Sequence, residues 1–328
     1  MFSTVNTLLC TYKSTDTKKL MPQIYACHLS DQLIQFTGED KKSYLHGQIT
    51  QDTNLFTNDS FLWAGQCDAK GKLWAILRFF NYQDDYFAIT SKDEFENALA
   101  EFKKYAVFAK VDIVKNESHQ LIGIFGDDLS SALNELNIQF PESDNCATDF
   151  SLGKAIKLDN NRLILCIDKT KLDQLPASFS LLDNEDKWNS IAILAGEPKL
   201  NGQSISEFVP QMVNLQAIGG ISFKKGCYKG QETVARMKFL GKNKRAMYIL
   251  EADSTKGLEA NEVEQQMGEN WRRAGKLLQT SFDSDSNKAY ALAVMPNDIA
   301  LDTPLRTKQD NPISFTIKAL PYSLIEEN

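Results

Sequence analysis

Long apolar runs are missing from this chain: no stretch approaches the roughly 18 residues that span a membrane as a helix. The apolar patch from Val5 to Cys10 is short, no basic segment leads into it and no small-residue cleavage site follows. No export signal is read, and a cytoplasmic protein is expected. Cysteine pairs are missing as well. The six cysteines, at 10, 27, 67, 146, 166 and 227, include no Cys-x-x-Cys, and there are three histidines. Such spacing excludes a disulfide framework and a locally spaced zinc or iron–sulfur ligand set, and no metal is expected. An overall positive charge is also missing. The net charge of −7 argues against wholesale coating of nucleic acid and confines any polyanion contact to a local patch.

What is present is an ordinary globular composition, 42% hydrophobic and 24% charged over 328 residues, enough for a real core and about two domains. The pattern predicts a strand over 32–36, a turn at Thr37-Gly38-Glu39-Asp40 and a helix from Lys41 to Gly47. Leu73 to Phe80 and Asp85 to Thr90 read as a hairpin joined by Asn81-Tyr82-Gln83-Asp84. Ser91-Lys92-Asp93-Glu94 has the form of a capping box, and Phe95, Ala98, Leu99 and Phe102 then share one helix face. Leu121 to Phe125 and Arg162 to Ile167 read as strands. Further amphipathic helices carry Leu129, Ala132, Leu133 and Leu136, and Trp188, Ile191, Ala192 and Ala195, the latter stopped by Gly196-Glu197-Pro198. Strands and helices mix without strict alternation, which predicts an α+β fold. Beyond Gly241-Lys242-Asn243-Lys244 the pattern offers only strands: Arg245 to Glu251, Arg273 to Ser281, Lys288 to Met295 and Ile313 to Leu320. An α+β body over 1–240 is therefore expected to precede an all-β domain over 241–328.

The densest chemistry lies in Lys225-Gly226-Cys227-Tyr228-Lys229-Gly230-Gln231-Glu232. Glycines allow a tight turn, and a helix is expected to begin near Gly230, with its free N–H groups directed back toward Cys227. Cations and a helix N-terminus both stabilise a thiolate, and Lys225, two positions before the cysteine, is placed to do so if the turn is tight. The plainer alternative makes Cys227 a small core residue and Lys225 a surface charge. From Lys224 to Arg245 the cations Lys224, Lys225, Lys229, Arg236, Lys238, Lys242, Lys244 and Arg245 face a single acid, Glu232. This is either a solvated helix face or a basic stripe for a polyanion. Cys67-Asp68-Ala69-Lys70-Gly71-Lys72 reads as a tight turn with positive φ at Gly71, Asp68 holding the turn or meeting a ligand. Trp188 belongs either to the core or to a pocket where it would stack on a flat heteroaromatic ring. His46, with no nucleophile near it in sequence, is expected to be structural.

Lys-Gly-Cys-Tyr-x-Gly-Gln-Glu resembles the signature of the YgfZ family of folate-binding proteins. The resemblance extends through Phe208-Val209-Pro210-Gln211, Asn214-Leu215-Gln216-Ala217 and Gly219-Gly220-Ile221-Ser222-Phe223-Lys224. It also covers Tyr44-Leu45-His46-Gly47-Gln48, Cys67 to Lys72, Lys104-Tyr105-Ala106-Val107-Phe108, Gly268 to Arg273 and Leu320 to Leu324. The family is similar in fold to the aminomethyltransferase of the glycine cleavage system. The resemblance implies two interlocked, ferredoxin-like α+β subdomains and a C-terminal β-barrel around an opening that takes tetrahydrofolate. It implies Trp188, Gly226 and Gly230 as folate-side residues, and Cys227, Lys225, Tyr228, Gln231 and Glu232 as the reactive site. Asp31 stands near the place of a second family tryptophan. Trp74 and Ala75 stand where aminomethyltransferases carry paired carboxylates, which speaks against ordinary aminomethyl transfer.

The resemblance thus implies a monomeric folate-binding accessory protein that supports tRNA thiolation or methylthiolation and the upkeep of iron–sulfur enzymes through Cys227. Lys225 would hold the thiolate, with Tyr228, Gln231 and Glu232 shaping the pocket. Two alternatives stay open at this point. One is a folate-dependent one-carbon transferase with a cysteine nucleophile. The other is a tRNA- or protein-binding adaptor acting through the Lys224–Arg245 stripe.

Overall fold

The computed structural model describes residues 23–141, 145–241 and 243–324. The Val5–Cys10 patch and Lys242 of the basic segment lie outside the described residues. In chain order, β1 (Ile24–His28) and β2 (Gln32–Thr37) lead to α1 (Lys41–His46). Then come β3 (Phe61–Cys67), β4 (Leu73–Tyr82), β5 (Asp85–Thr90) and α2 (Lys92–Tyr105). β6 (Asp112–Lys115) and β7 (His119–Gly126) precede α3 (Ser130–Glu135), β8 (Ala147–Phe150), β9 (Gly153–Lys157), β10 (Arg162–Asp168) and β11 (Ser180–Leu182). α4 (Asp186–Leu194) and α5 (Gln231–Phe239) close the body. The last strands are β12 (Arg245–Asp253), β13 (Glu262–Met267), β14 (Asn270–Asp283), β15 (Lys288–Pro296), β16 (Leu305–Thr307) and β17 (Ser314–Lys318).

Local chemistry explains the firmest of these elements. At the end of the β4–β5 hairpin, Gln83 and Asp84 take φ of 51° and 66°, the left-handed pair that matches strand twist. The Ser91 side chain accepts from the Glu94 N–H and the Glu94 carboxylate accepts from the Ser91 N–H, so the predicted capping box starts α2. Phe95, Ala98 and Phe102 then bury one face of that helix.

The body contains two sheets, one built from the contiguous strands β2–β6 and the other from β1 together with β7–β11. One has the order β3-β4-β5-β2-β6, and the other β11-β1-β7-β10-β9-β8. Consecutive β1 and β2 belong to different sheets, as do β6 and β7, so the first subdomain is inserted within the second. The expected interlocked α+β body is therefore present. The last six strands close into a barrel, β12-β15-β14-β13-β16-β17. Its β13 and β16 did not stand out in the sequence. In β13 only Val263 is buried, and β16 is three residues long, so neither shows clear alternation.

One apolar core joins all three units, with Phe61 and Leu73, Phe125 and Trp188, Leu215 and Tyr228, and Met247 and Leu292 among its members. The barrel is also pinned by Asn214, whose amide donates to the Met247 carbonyl at 2.8 Å and accepts from the Met247 N–H at 3.1 Å. Among the described residues no helix is long and apolar enough to cross a membrane.

Candidate functional site

Between α4 and α5 the regular structure is a single 3₁₀ turn, Pro210–Val213. A connection of this length inside a compact body is the usual place for function. Cys227 lies near its end and is exposed. The other described cysteines, Cys27, Cys67, Cys146 and Cys166, are buried. Burial pushes the Cys27 thiol up to about 12, and raises those of Cys67 and Cys166 further.

The connection is fastened to the loop after α1. The Thr50 hydroxyl donates to the Gly220 carbonyl at 2.6 Å, Ser222 N–H donates to the Thr50 carbonyl at 3.0 Å, and the Gln51 amide donates to the Gly219 carbonyl. Lys229 N–H donates to the Gly47 carbonyl at 3.1 Å. Lys225 is the strongest of these ties. Its ammonium donates to the carbonyls of His46, Ile49 and Gln51 at 2.6, 2.8 and 2.9 Å and lies 5.0 Å from the centre of the Tyr228 ring. Burial lowers its pKa to about 8, with the Asp52 charge opposing, so it is still mostly charged at neutral pH. The expectation that Lys225 holds the Cys227 thiolate is corrected here: all three of its protons are taken by carbonyls. The tight turn directs this side chain inward while Cys227 faces solvent.

The two glycines of the motif also divide their roles. Gly230, at φ 83°, ends the turn, and α5 begins at Gln231, as the sequence predicts. A Cβ on Gly230 would stand 2.5 Å from the Asp68 carbonyl oxygen, and one on Gly71, whose φ is 76°, would stand 2.9 Å from the Gly230 carbonyl oxygen. The start of α5 thus interlocks with the Cys67–Lys72 turn, and Gly230 serves that backbone contact. Asp68 holds that turn by accepting from the N–H groups of Lys70 and Lys72, both at 2.8 Å. Gly226 is exposed, and a Cβ there would come 3.6 Å from His46 Nε2. Tyr228 is buried in the shared core, where burial raises its pKa. Gln231 is half-buried, and Glu232 is exposed and paired along α5 with Arg236 rather than directed at the thiol.

His46 is the neighbour that local sequence did not reveal, because the turn it faces lies far downstream. Its Nδ1 lies 3.1 Å from Thr53 Oγ1 and 3.5 Å from Asp52 Oδ1. Lys229 passes beneath the same turn. Its ammonium sits 3.9 Å from the centre of the Trp74 ring, 3.5 Å from that of Tyr105 and 3.9 Å from Glu101 Oε2. At the position that corresponds by resemblance to a transferase carboxylate, Trp74 therefore packs on a lysine of the cysteine motif.

A second polar centre lies between the two sheets and the barrel, around a small cavity of about 30 Å³ lined by residues that include Asp31, Trp63, Arg78, Glu94, Glu197, Lys199 and Gln279. Glu197 bridges Arg78 at 2.7 Å and Arg162 at 2.6 Å, while Lys199 pairs with Asp31 at 2.6 Å. Burial alone would raise the Glu197 pKa, yet the two guanidinium groups hold it below the usual carboxylate range. Glu94 has weaker help. Burial raises it to about 7 against hydrogen bonds from the N–H groups of Ser91 and Ile76. Arg78 Nε and Gln279 Oε1 are buried without a partner. Trp188 does not line this cavity. It is 3% exposed, packs against Gly123, and stands behind Arg162, whose guanidinium lies 5.8 Å from its ring centre.

The basic stripe is thinner than the sequence suggests. Lys225 and Lys229 turn inward, Arg236 pairs with Glu232, and Lys238 lies over the Phe223 ring at 3.9 Å. Lys224, Lys244 and Arg245 face solvent, close in sequence to an exposed Phe239.

Comparison with known proteins matches this arrangement. The family model described as YgfZ, beta-barrel domain, covers residues 243–310. The tRNA-modifying protein YgfZ of Vibrio vulnificus (strain CMCP6) is 40% identical over 299 residues, spanning 90% of this chain and 91% of that one. The protein of the same name from Vibrio atlanticus (strain LGP32) is 40% identical over 312 residues, 94% and 95% of the two chains. In fold, the chain is similar to glycine cleavage system aminomethyltransferase T from Bartonella henselae, with a TM-score of 0.71 at 13% identity over 91% of this chain and 86% of that one. With relatives this similar over nearly its whole length, the chain belongs to the YgfZ family.

Proposed function

We propose that this protein supports tRNA modification as a folate-binding accessory factor for iron–sulfur enzymes, with Cys227 as its working thiol. The observation that carries the reading is the contrast among cysteines: Cys227 alone of those described is exposed, on a turn anchored by Lys225 and Gly230. The tRNA role is taken from the relatives, which are tRNA-modifying proteins by name.

In this reading the pterin end of a folate enters at the central polar centre, whose free volume of about 30 Å³ requires the lining side chains to part as the ring binds. A pterin ring presents ring N–H and amino donors alongside carbonyl and ring-nitrogen acceptors. Arg78 Nε and Gln279 Oε1 offer an unused donor and an unused acceptor, and Asp31 and Glu94 add carboxylates. In this reading Arg78, Gln279, Asp31 and Glu94 hold the ring, Trp63 flanks it beneath the Arg78 guanidinium, and Trp188 braces Arg162 from behind. A bound tetrahydrofolate supplies a nitrogen that accepts one-carbon units.

Two measurements test the proposal. Mass spectrometry of tRNA nucleosides from a strain lacking the protein should show thiolated or methylthiolated nucleosides reduced, and restored by the wild-type gene. Unchanged nucleosides overturn the tRNA role. Titration of the purified protein with tetrahydrofolate should show saturable binding weakened about tenfold or more by Arg78→Met, since a buried polar contact is lost. Absence of binding removes folate from the account.

A further inference from the structure

We propose that His46 is the proton acceptor for Cys227, its tautomer fixed by Thr53 and Asp52. The inference rests on the reading of Cys227 as the working thiol and adds the group that ionises it.

Hydrogen-bond accounting decides which imidazole nitrogen is the base. The Thr53 hydroxyl has one proton, which it gives to the Lys42 carbonyl at 3.3 Å. Toward His46 Nδ1, at 3.1 Å, Thr53 Oγ1 therefore accepts, so Nδ1 carries the ring proton. The Asp52 carboxylate, 3.5 Å from the same nitrogen, favours that tautomer. Nε2 is left with its lone pair, and it faces the cysteine turn, 3.6 Å from where a Cβ of Gly226 would stand. Adjacent Cα atoms are about 3.8 Å apart, so Cys227 is the next residue along from this contact, and the proposal has its exposed side chain rotate toward Nε2. The His46 side chain is 26% exposed, which leaves the pair open to a reactant. The charged groups nearest the imidazole are Asp52 and Lys225, the latter on the His46 carbonyl; the Lys229 ammonium lies away from it, on Trp74, Tyr105 and Glu101. In the step itself the S–H bond breaks and its proton goes to Nε2. A neutral pair becomes a thiolate–imidazolium pair with no change in total charge.

The test is alkylation of the folded protein with iodoacetamide, following the Cys227 peptide by mass spectrometry as pH is varied. His46→Gln keeps an N–H for Thr53 but offers no base. At about pH 7 its rate is expected to fall about tenfold or more, the usual contribution of a positioned base. At about pH 10, where solvent ionises a thiol unaided, the two rates should converge. Equal rates at both pH values overturn the proposal, and so does an equal loss at both, which would mark a change in access alone. If His46→Gln does not fold, Thr53→Val, similar in shape at a buried position, serves instead. It should slow the neutral reaction several-fold without affecting the alkaline one, and no effect overturns the inference. The underlying reading is tested separately by whether Cys227 substitution abolishes tRNA modification, so the two can fail independently.

Discussion

At the cysteine turn one buried cation, Lys225, is held by three backbone carbonyls, whereas in the central cavity buried charges neutralise one another through side chains, Arg162–Glu197–Arg78 and Lys199–Asp31. The turn takes its rigidity from main-chain contacts and glycines, which leaves Cys227 and His46 outward for chemistry. The cavity uses its side chains for mutual neutralisation but keeps Arg78 Nε and Gln279 Oε1 unmatched, the two groups to which the proposed function assigns a ligand.

The comparison breaks most severely at Glu197. Replacing it by Leu strands the Arg78 guanidinium and leaves the buried Arg162 with Asp159 alone, and should cost about 3–5 kcal/mol of stability in urea unfolding, since an uncompensated buried charge is the largest penalty available here. At the turn, Lys225→Met leaves three carbonyls without their donor and should cost about 2–3 kcal/mol, with the loop after α1 loosening first in hydrogen exchange.

Glu94 sharpens the contrast through pH. Its folded pKa of about 7 lies above the ordinary value of 4.5, so the folded state binds the proton more tightly. The stability it contributes is full below that lower value and is lost as pH rises through about 7. Between about pH 5 and 8 the decline should reach about 2 kcal/mol, and Glu94→Gln, which keeps the cap acceptor, should flatten it. The smallest effect belongs to the exposed Glu232–Arg236 pair: Glu232→Gln should leave stability within about 0.5 kcal/mol. A larger loss would mean that Glu232 does more than hold its helix neighbour.

The parts legible in the sequence are those decided locally. Ser91 and Glu94 sit three positions apart and cap the helix they begin, and Gly71 takes the positive φ its turn requires. The start of α5 after Gly230 belongs to the same group. Direction within a turn was not legible. Lys225 and Cys227 are two residues apart, yet one side chain is buried and the other exposed, because the carbonyls that capture Lys225 come from the loop after α1. Distant pairings such as His46 with the cysteine turn and Trp74 with Lys229 leave no periodic mark. Trp188 read correctly as a helix-face residue, but only the fold places Arg162 between it and the cavity.

The central claim is that Cys227 is the working thiol of this protein, and Cys227→Ser tests it most directly, since an exposed serine keeps the shape and removes the thiol. The substituted gene is placed in a strain lacking the protein, and thiolated and methylthiolated tRNA nucleosides are measured by mass spectrometry alongside the amount of folded protein. The predicted result is nucleoside levels as low as in the strain with no gene, at wild-type protein abundance. Full restoration by the serine variant would contradict the account.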